Sequence, residues 1–369
     1  MAFDLLAGIR AVDMTQYLPG PFAAQILSDM GADVLKVEPP TGDPFRTLDP
    51  FDGDHRPTPF HGAVNAGKRI VRLDLKTDEG RDAMARLLAA ADVLVESYRP
   101  GVMDRLGFGR QALEDLNPGL VHCALSGFGQ TGPHRLLAGH DLNYVAFTGA
   151  LSASGHVAGP GIYWPPVADM AGAMQAGLTI AGALVRRSRT GKGAFLDVSL
   201  AETVLGWQGM GLTQALNGRG APDRARATLT GGAAYYQLYE TADGRWVSLS
   251  PIEPKFWANF CDAVGHPEWT DRQHEPLPQT DLTAQVAALF KSRDRAHWDG
   301  LLMGIDCCYY PVRAYAEVPT DPHVAARGLV ADAGDHTEAR FPLHLDDAPP
   351  PSRAPVVEVS LADALAAWA

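Results

Sequence analysis

Positive charge is scarce in this chain. Lys and Arg number 31 against 43 Asp and Glu, a net charge of −12 over 369 residues. Such a balance disfavours a general nucleic-acid or anionic-membrane role, and a polyanionic ligand needs a local cluster of cations. Cysteine is scarce too, with only Cys123, Cys261, Cys307 and Cys308. Their spacing fits no zinc site, and the adjacent pair is a poor disulfide candidate, so a reducing cytoplasm is the expected setting. The opening MAFDLLAGIRAVDM has early acids and no long apolar h-region, so no signal peptide is expected. No apolar run is expected to reach a membrane span. Repeats and low-complexity tracts are absent, and no G-x-G-x-x-G follows the first strand, which removes support for dinucleotide binding.

What is present is the composition of an ordinary globular protein, 46% hydrophobic and 20% charged. The length allows one large or two medium domains. Strands are predicted at Ile9–Asp13, Ala32–Val37, Arg69–Asp74, Asp92–Glu96 and Leu120–Leu125, with helical stretches after Gly20 and from Asp78 to Ala91. Strands separated by helices argue for an α/β fold, a mostly parallel sheet covered on both faces. A long Ala- and Gly-rich helix follows from Asp169 to Arg187, then a strand at Ala194–Val198. Gly218-Arg219-Gly220-Ala221-Pro222 reads as a linker. Beyond it, two strands joined at Asp243-Gly244 and helices at Phe256–Val264 and Leu282–Phe290 predict a small α+β domain. The predicted division is 1–217, 218–310 and 311–369, the last segment returning to the large domain.

Spacing alone gives modest candidates for chemistry. His140-Asp141 precedes an apolar stretch, and Asp169 precedes the long helix. The commoner role of either Asp is an N-cap, whose carboxylate accepts from first-turn N–H groups. A lone His is more often structural than catalytic, and Glu253 beside Pro254 reads first as a helix start.

The motifs gain meaning in combination. Gln16–Pro21, Gly31–Glu38, Asn65-Ala66-Gly67-Lys68-Arg69, Val95–Gly101 and Leu125–Gly129 occur in order before Asp169, and Asp321–Gly328 follows late. This series resembles the class III coenzyme A transferase (CaiB/BaiF) family, which includes formyl-CoA transferase and α-methylacyl-CoA racemase. The resemblance implies a Rossmann-like large domain built from both chain ends, a small domain inserted late, and an interlocked homodimer. It also implies a coenzyme A thioester as substrate, with no further cofactor and no metal. Asn65, Ala66, Gly67, Lys68, Ser97, Tyr98, Arg99 and Arg105 are expected at the coenzyme, with Arg46 as a further basic candidate. Gly139, Asp141 and Tyr144 belong to the same expected binding set.

Two branches of that family ask different things of Asp169. In the transferases it is a nucleophile, and a small-domain loop, GGGGQP, covers the bound intermediate. Here the matching stretch is Gly231-Gly232-Ala233-Ala234-Tyr235-Tyr236, which lacks the Gln-Pro. In the racemases a His–Asp pair works on opposite faces of the acyl α-carbon through an enolate. Gly139-His140-Asp141-Leu142-Asn143-Tyr144 is similar to their GHDINY, and Ile252-Glu253-Pro254 to the segment whose Glu bonds the catalytic His. The resemblance therefore favours an acyl-CoA racemase with Asp169, His140 and Glu253 as catalytic residues. A CoA-transferase is the alternative, and a thioester-binding protein without catalysis a third. First-turn N–H groups of the Asp169 helix are expected to hold the enolate oxygen. Tyr163-Trp164, and the lack of a glycine run after Asp169, point to an altered acyl pocket.

Overall fold

A computed structural model describes residues 3–49, 51, 58–334 and 336–368. The chain divides into two compact units. The first comprises Met1–Thr148, Trp164–Trp207 and Thr320–Ala369, and the second Gly149–Tyr163 and Gln208–Pro319. The divisions read from the sequence, 217/218 and 310/311, stand beside observed ones at 207/208 and 319/320, and the short Gly149–Tyr163 segment joins the second unit.

In the first unit, seven strands form one parallel sheet: β1 Arg10–Met14, β2 Asp33–Glu38, β3 Arg69–Arg72, β4 Val93–Glu96, β5 Val121–Ser126, β6 Ala194–Ser199 and β7 Val357–Glu358. Their spatial order is β7-β3-β2-β1-β4-β5-β6. The four central strands β2, β1, β4 and β5 are buried nearly throughout, because helices cover both faces. One face packs Val12, Met14, Leu35 and Leu94 with Met84 and Leu87 of the Asp78–Ala90 helix and Trp368 of the last helix.

The order reverses between β1 and β4. Their carboxyl ends open into the loops at Thr15–Tyr17 and Ser97–Arg99, joined where the Gln16 N–H donates to Ser97 Oγ at 3.3 Å. Open α/β sheets characteristically bind ligands at such a reversal. Tyr17 holds φ at 63° there without being glycine, a strained conformation on an exposed residue.

The helix Val167–Thr190 is one the expectation on apolar runs missed. Its length and a mean hydropathy of 1.2 over 18 residues suffice for a membrane span, with half of that window buried in the fold. It packs against the Pro19–Asp29 and Leu200–Trp207 helices, with Ala171, Gly172, Ala173, Ala176 and Ile180 inward, so its apolar side serves a core.

The second unit has its own core around Tyr239, Trp257, Phe260, Phe290 and Trp298. Strands Gln237–Glu240 and Trp246–Leu249 pair antiparallel about the turn at Asp243-Gly244, and Tyr309–Pro311 adds a third strand. Gly244 has φ 75°, which the turn requires and few other residues adopt cheaply.

Candidate active site

The helix carrying Asp169 starts after Pro165-Pro166, and its N-cap residue, Pro166, has no side-chain acceptor for the first-turn N–H groups. The cap comes from elsewhere. Asp141 Oδ1 accepts from the N–H groups of Ala168 at 2.6 Å and Asp169 at 3.1 Å. Asp169 is therefore not an N-cap. It is a first-turn residue whose own carboxylate forms no hydrogen bond among the described residues. The expectation that these amides hold an enolate oxygen is corrected for Ala168 and Asp169, because Asp141 already occupies them.

A half-buried carboxylate without donors is held back from ionising. Burial raises the Asp169 pKa first and the nearby Asp141 carboxylate second, together to about 7. That value suits a group asked both to take and to give a proton near neutrality.

Asp141 opens the helix Asp141–Phe147, and His140 stands at its N-cap position. The His140 N–H donates to Asn143 Oδ1 at 3.0 Å, which fixes the chain direction and leaves the imidazole exposed. His140 and Asp169 are thus tied through one short link, since the residue after His140 bonds the backbone of Asp169. Tyr144 locks this loop to the sheet. Its hydroxyl donates to Gly139 O at 2.5 Å, and a Cβ on Gly127, just past β5, would fall 2.5 Å from that hydroxyl. Gly127 and Gly139 are therefore required by the ring between them. Burial and then the charge of Asp169 raise the Tyr144 pKa, while Arg99 acts in the opposite direction, so the phenol stands in the field of both.

The cations expected at the coenzyme fall into two groups. Arg99 and Arg105 are exposed, and neither is paired with a carboxylate among the described residues. Ser97 and Tyr98 share the Arg99 loop, with Ser97 Oγ used by Gln16 and the Tyr98 N–H donating to Glu96 Oε2 at 2.7 Å. Lys68 is different. It is 1% exposed, and its ammonium donates to Asp13 Oδ2 at 2.9 Å, Pro21 O at 2.7 Å and Asn65 Oδ1 at 2.8 Å. All three protons are used, so the expected phosphate contact from Lys68 is corrected to an internal role. Asn65 is spent the same way, and its amide donates to His61 O. Ala66 is buried, and the Gly67 N–H bonds Ala354 O at 2.7 Å. Arg46 donates to Glu38 at 2.7 Å and pairs with Glu358 at 2.8 Å, which leaves it less free than a surface cation.

Glu253 lies in the second unit. It is the exposed N-cap residue of the Pro254–Ala263 helix, with no side-chain cap, and its carbonyl accepts from Phe256 and Trp257. In the same unit the stretch matching the transferase loop is packed. Ala233 and Ala234 are fully buried, Tyr239 donates to Ala234 O at 2.6 Å, and a Cβ on Gly232 would fall 2.3 Å from the Arg226 backbone.

One feature of the first unit escaped sequence reasoning. The capping of one helix by Asp141 of another spans 27 residues, and no local pattern signals it. Trp164, which the sequence points to for an altered acyl pocket, is exposed and lies obliquely 5.2 Å from Phe51, five residues before Asp169.

A model of the CoA-transferase family III matches residues 6–358. The chain is 34% identical to human alpha-methylacyl-CoA racemase over 354 residues, covering 94% of this chain and 88% of that one. It is also 34% identical to acetyl-CoA:oxalate CoA-transferase of Acetobacter aceti over 339 residues, covering 89% and 85%. A crystal structure of a CAIB/BAIF family protein from Brucella suis superposes with a TM-score of 0.83 at 29% identity, covering 97% of both chains.

Proposed function

The chain belongs to the CoA-transferase family III, and within that family we propose that it is an acyl-CoA racemase or epimerase. Its substrate on this reading is a 2-methyl-branched or related acyl-CoA thioester. The observation that carries the proposal is Asp169, an unpartnered, half-buried carboxylate with its pKa near 7, tied through Asp141 to the loop of His140. One base removes the α-proton, the electron pair moves onto the thioester oxygen, and the conjugate acid of the other base delivers a proton to the opposite face. Catalysis in both directions needs each group to exist in both protonation states near working pH, and Asp169 meets that requirement. Trp164 and Phe51 offer an aromatic surface near the helix start for the acyl group.

Ser97, Tyr98, Arg99 and Arg105, at the sheet reversal, bind the coenzyme in this reading, with Gly139, Asp141 and Tyr144 shaping the thioester end. No cofactor takes part beyond the coenzyme A of the substrate. The active form is a cytoplasmic homodimer. Exposed Met174, Leu178 and Val185 on the Asp169 helix form an apolar stripe suited to a second copy.

The transferase reading is supported by the equal identity to the Acetobacter aceti enzyme and by 31% identity to a succinate–glutarate CoA-transferase. Against it, the stretch at Gly231–Tyr236 is anchored in a core, and a mobile cover over an intermediate needs freedom. The two readings separate in deuterated water. Incubating each enantiomer of a 2-methylacyl-CoA should give racemised product labelled at the α-carbon. His140→Ala and Asp169→Ala should each block racemisation and show opposite enantiomer preferences in residual label uptake. A thioester trapped on Asp169, with no α-label from either enantiomer, would establish transfer instead.

A further inference from the structure

The strands of the parallel sheet have carboxyl and amino ends, and the site above uses only the carboxyl ends. Gly127, against which the Tyr144 ring packs, follows the carboxyl end of β5. At the amino ends of β5 and β6, a strand length of about 20 Å away, lies a cleft of about 510 Å³. Arg110, Glu114, His122, Arg186, Lys192 and Phe195 line it.

Three cations therefore face one cleft in a chain of net charge −12. None of them is paired with a carboxylate among the described residues, although Glu114 shares the wall. Elsewhere in this unit Arg46, Arg69, Arg72, Arg187 and Arg353 all hold carboxylates. The Arg110 guanidinium lies 4.9 Å over the Phe195 ring, which orients its fork without using its N–H donors. Arg186 spends one donor on Gly193 O at 2.9 Å. His122, the second residue of β5, is 6% exposed, and neither of its ring nitrogens has a hydrogen-bond partner. Its Nε2 is 3.8 Å from Glu96 Oε1, beyond hydrogen-bond reach, and its ring meets Phe195 edge-on at 5.0 Å. Gathered cations raise one another's energy, and a buried imidazole without a partner is rare in folded proteins. An anion in the cleft relieves the cation repulsion directly.

We propose that this cleft binds a small phosphate-bearing anion, separately from the active site and whichever reaction that site performs. Planar arginine forks suit phosphate oxygens, Lys192 adds a mobile point charge, and Phe195 supplies an apolar wall for the body of the ligand. The phosphate belongs either to a free phosphate ester or to a second molecule of the coenzyme.

The test is calorimetry of the full-length protein with pyrophosphate at low ionic strength. Lys192→Glu, an exposed change outside the active site, should weaken binding at least tenfold. Arg110→Gln should do the same with an unchanged melting temperature, and Arg99→Ala should bind pyrophosphate as the unaltered protein does. In Arg99→Ala, displacement of pyrophosphate by coenzyme A identifies the coenzyme as the source, and no displacement identifies a separate ester. Unchanged affinity in Lys192→Glu overturns the proposal. So does a loss that follows Arg99→Ala alone, which would place the phosphate in the coenzyme loop. Light scattering in which Lys192→Glu changes the oligomeric state would overturn it as well, assigning this face to a second copy.

Discussion

Replacing Asp169 by Asn should stabilise the protein at pH 8 and leave its stability nearly unchanged at pH 4. The carboxyl goes from an ordinary 3.8 to about 7 on folding, because burial and the Asp141 charge disfavour its ionised form. A raised pKa means that the folded state holds the proton more tightly. The associated stability is fully present below about pH 4 and is lost as pH rises through 7. Three pKa units correspond to about 4 kcal/mol. That is a ceiling for Asp169→Asn, since the amide brings donors of its own that need partners. Urea unfolding of both proteins at intervals from pH 4 to pH 8 reads the effect directly. The difference in midpoint should grow steadily across that range and level off above pH 7. A difference constant with pH, or an Asn variant less stable at pH 8, would show that Asp169 is not held neutral by its surroundings. The reasoning about a carboxylate poised near neutrality would then be wrong.

Three other outcomes follow from the structure. Arg99→Ala should weaken CoA thioester binding roughly tenfold or more, as expected for a charge-assisted contact, without moving the melting temperature, and unchanged affinity by calorimetry would remove Arg99 from the site. Lys68→Met should instead destabilise by about 3 kcal/mol, because it leaves Asp13 only Lys36, 4.0 Å away, as a buried cation; a melting temperature near that of the unaltered protein, with lost CoA affinity, would restore Lys68 as a phosphate ligand. Acid should unfold the protein partly through Glu38: burial raises its pKa, but hydrogen bonds from His61 and Arg46 and the charges of Arg46 and Lys36 outweigh burial and hold it at about 2. Its contribution, about 3 kcal/mol for the shift from 4.5, is present above pH 4.5 and lost as pH falls toward 2, so Glu38→Gln should flatten that part of the acid stability curve.

The strands were legible because β1, β2, β4 and β5 are apolar runs bounded by turns and separated by amphipathic helices. Their spatial order was not, since nothing within a strand says which neighbour it takes. The two residues of β7 are too few to carry any pattern, yet they complete the edge beside β3. At the site, His140, Asp141 and Asp169 were legible as a set, but the relation among them was not. Asp141 is expected at the coenzyme from the sequence, and its capping of the Asp169 helix was not legible there. Lys68 misled for a different reason. A motif records that a lysine stands at a position, while its role depends on burial, and the acceptor that buries it, Asp13, lies 55 residues away. His122 gave no signal, being a single polar residue in an apolar strand.

Asp141 also explains why two carboxylates can stand so close without one being lost. Its charge is spent on two backbone N–H groups at a helix start, where the dipole favours an anion. Asp169, three positions into the same helix, finds those donors taken and meets the Asp141 charge besides. The same residue therefore anchors the helix, holds His140 in its loop and raises the pKa of Asp169. Changing Asp141 to Asn would keep the oxygen acceptor but remove the charge, so the helix start should survive while the Asp169 pKa falls toward the ordinary range. Under two-base catalysis the equilibrium ties kcat/KM in the two directions together, so both directions should show the acidic limb of the pH profile moved to lower pH. A profile lowered in height with its acidic limb unmoved would assign Asp141 to positioning alone.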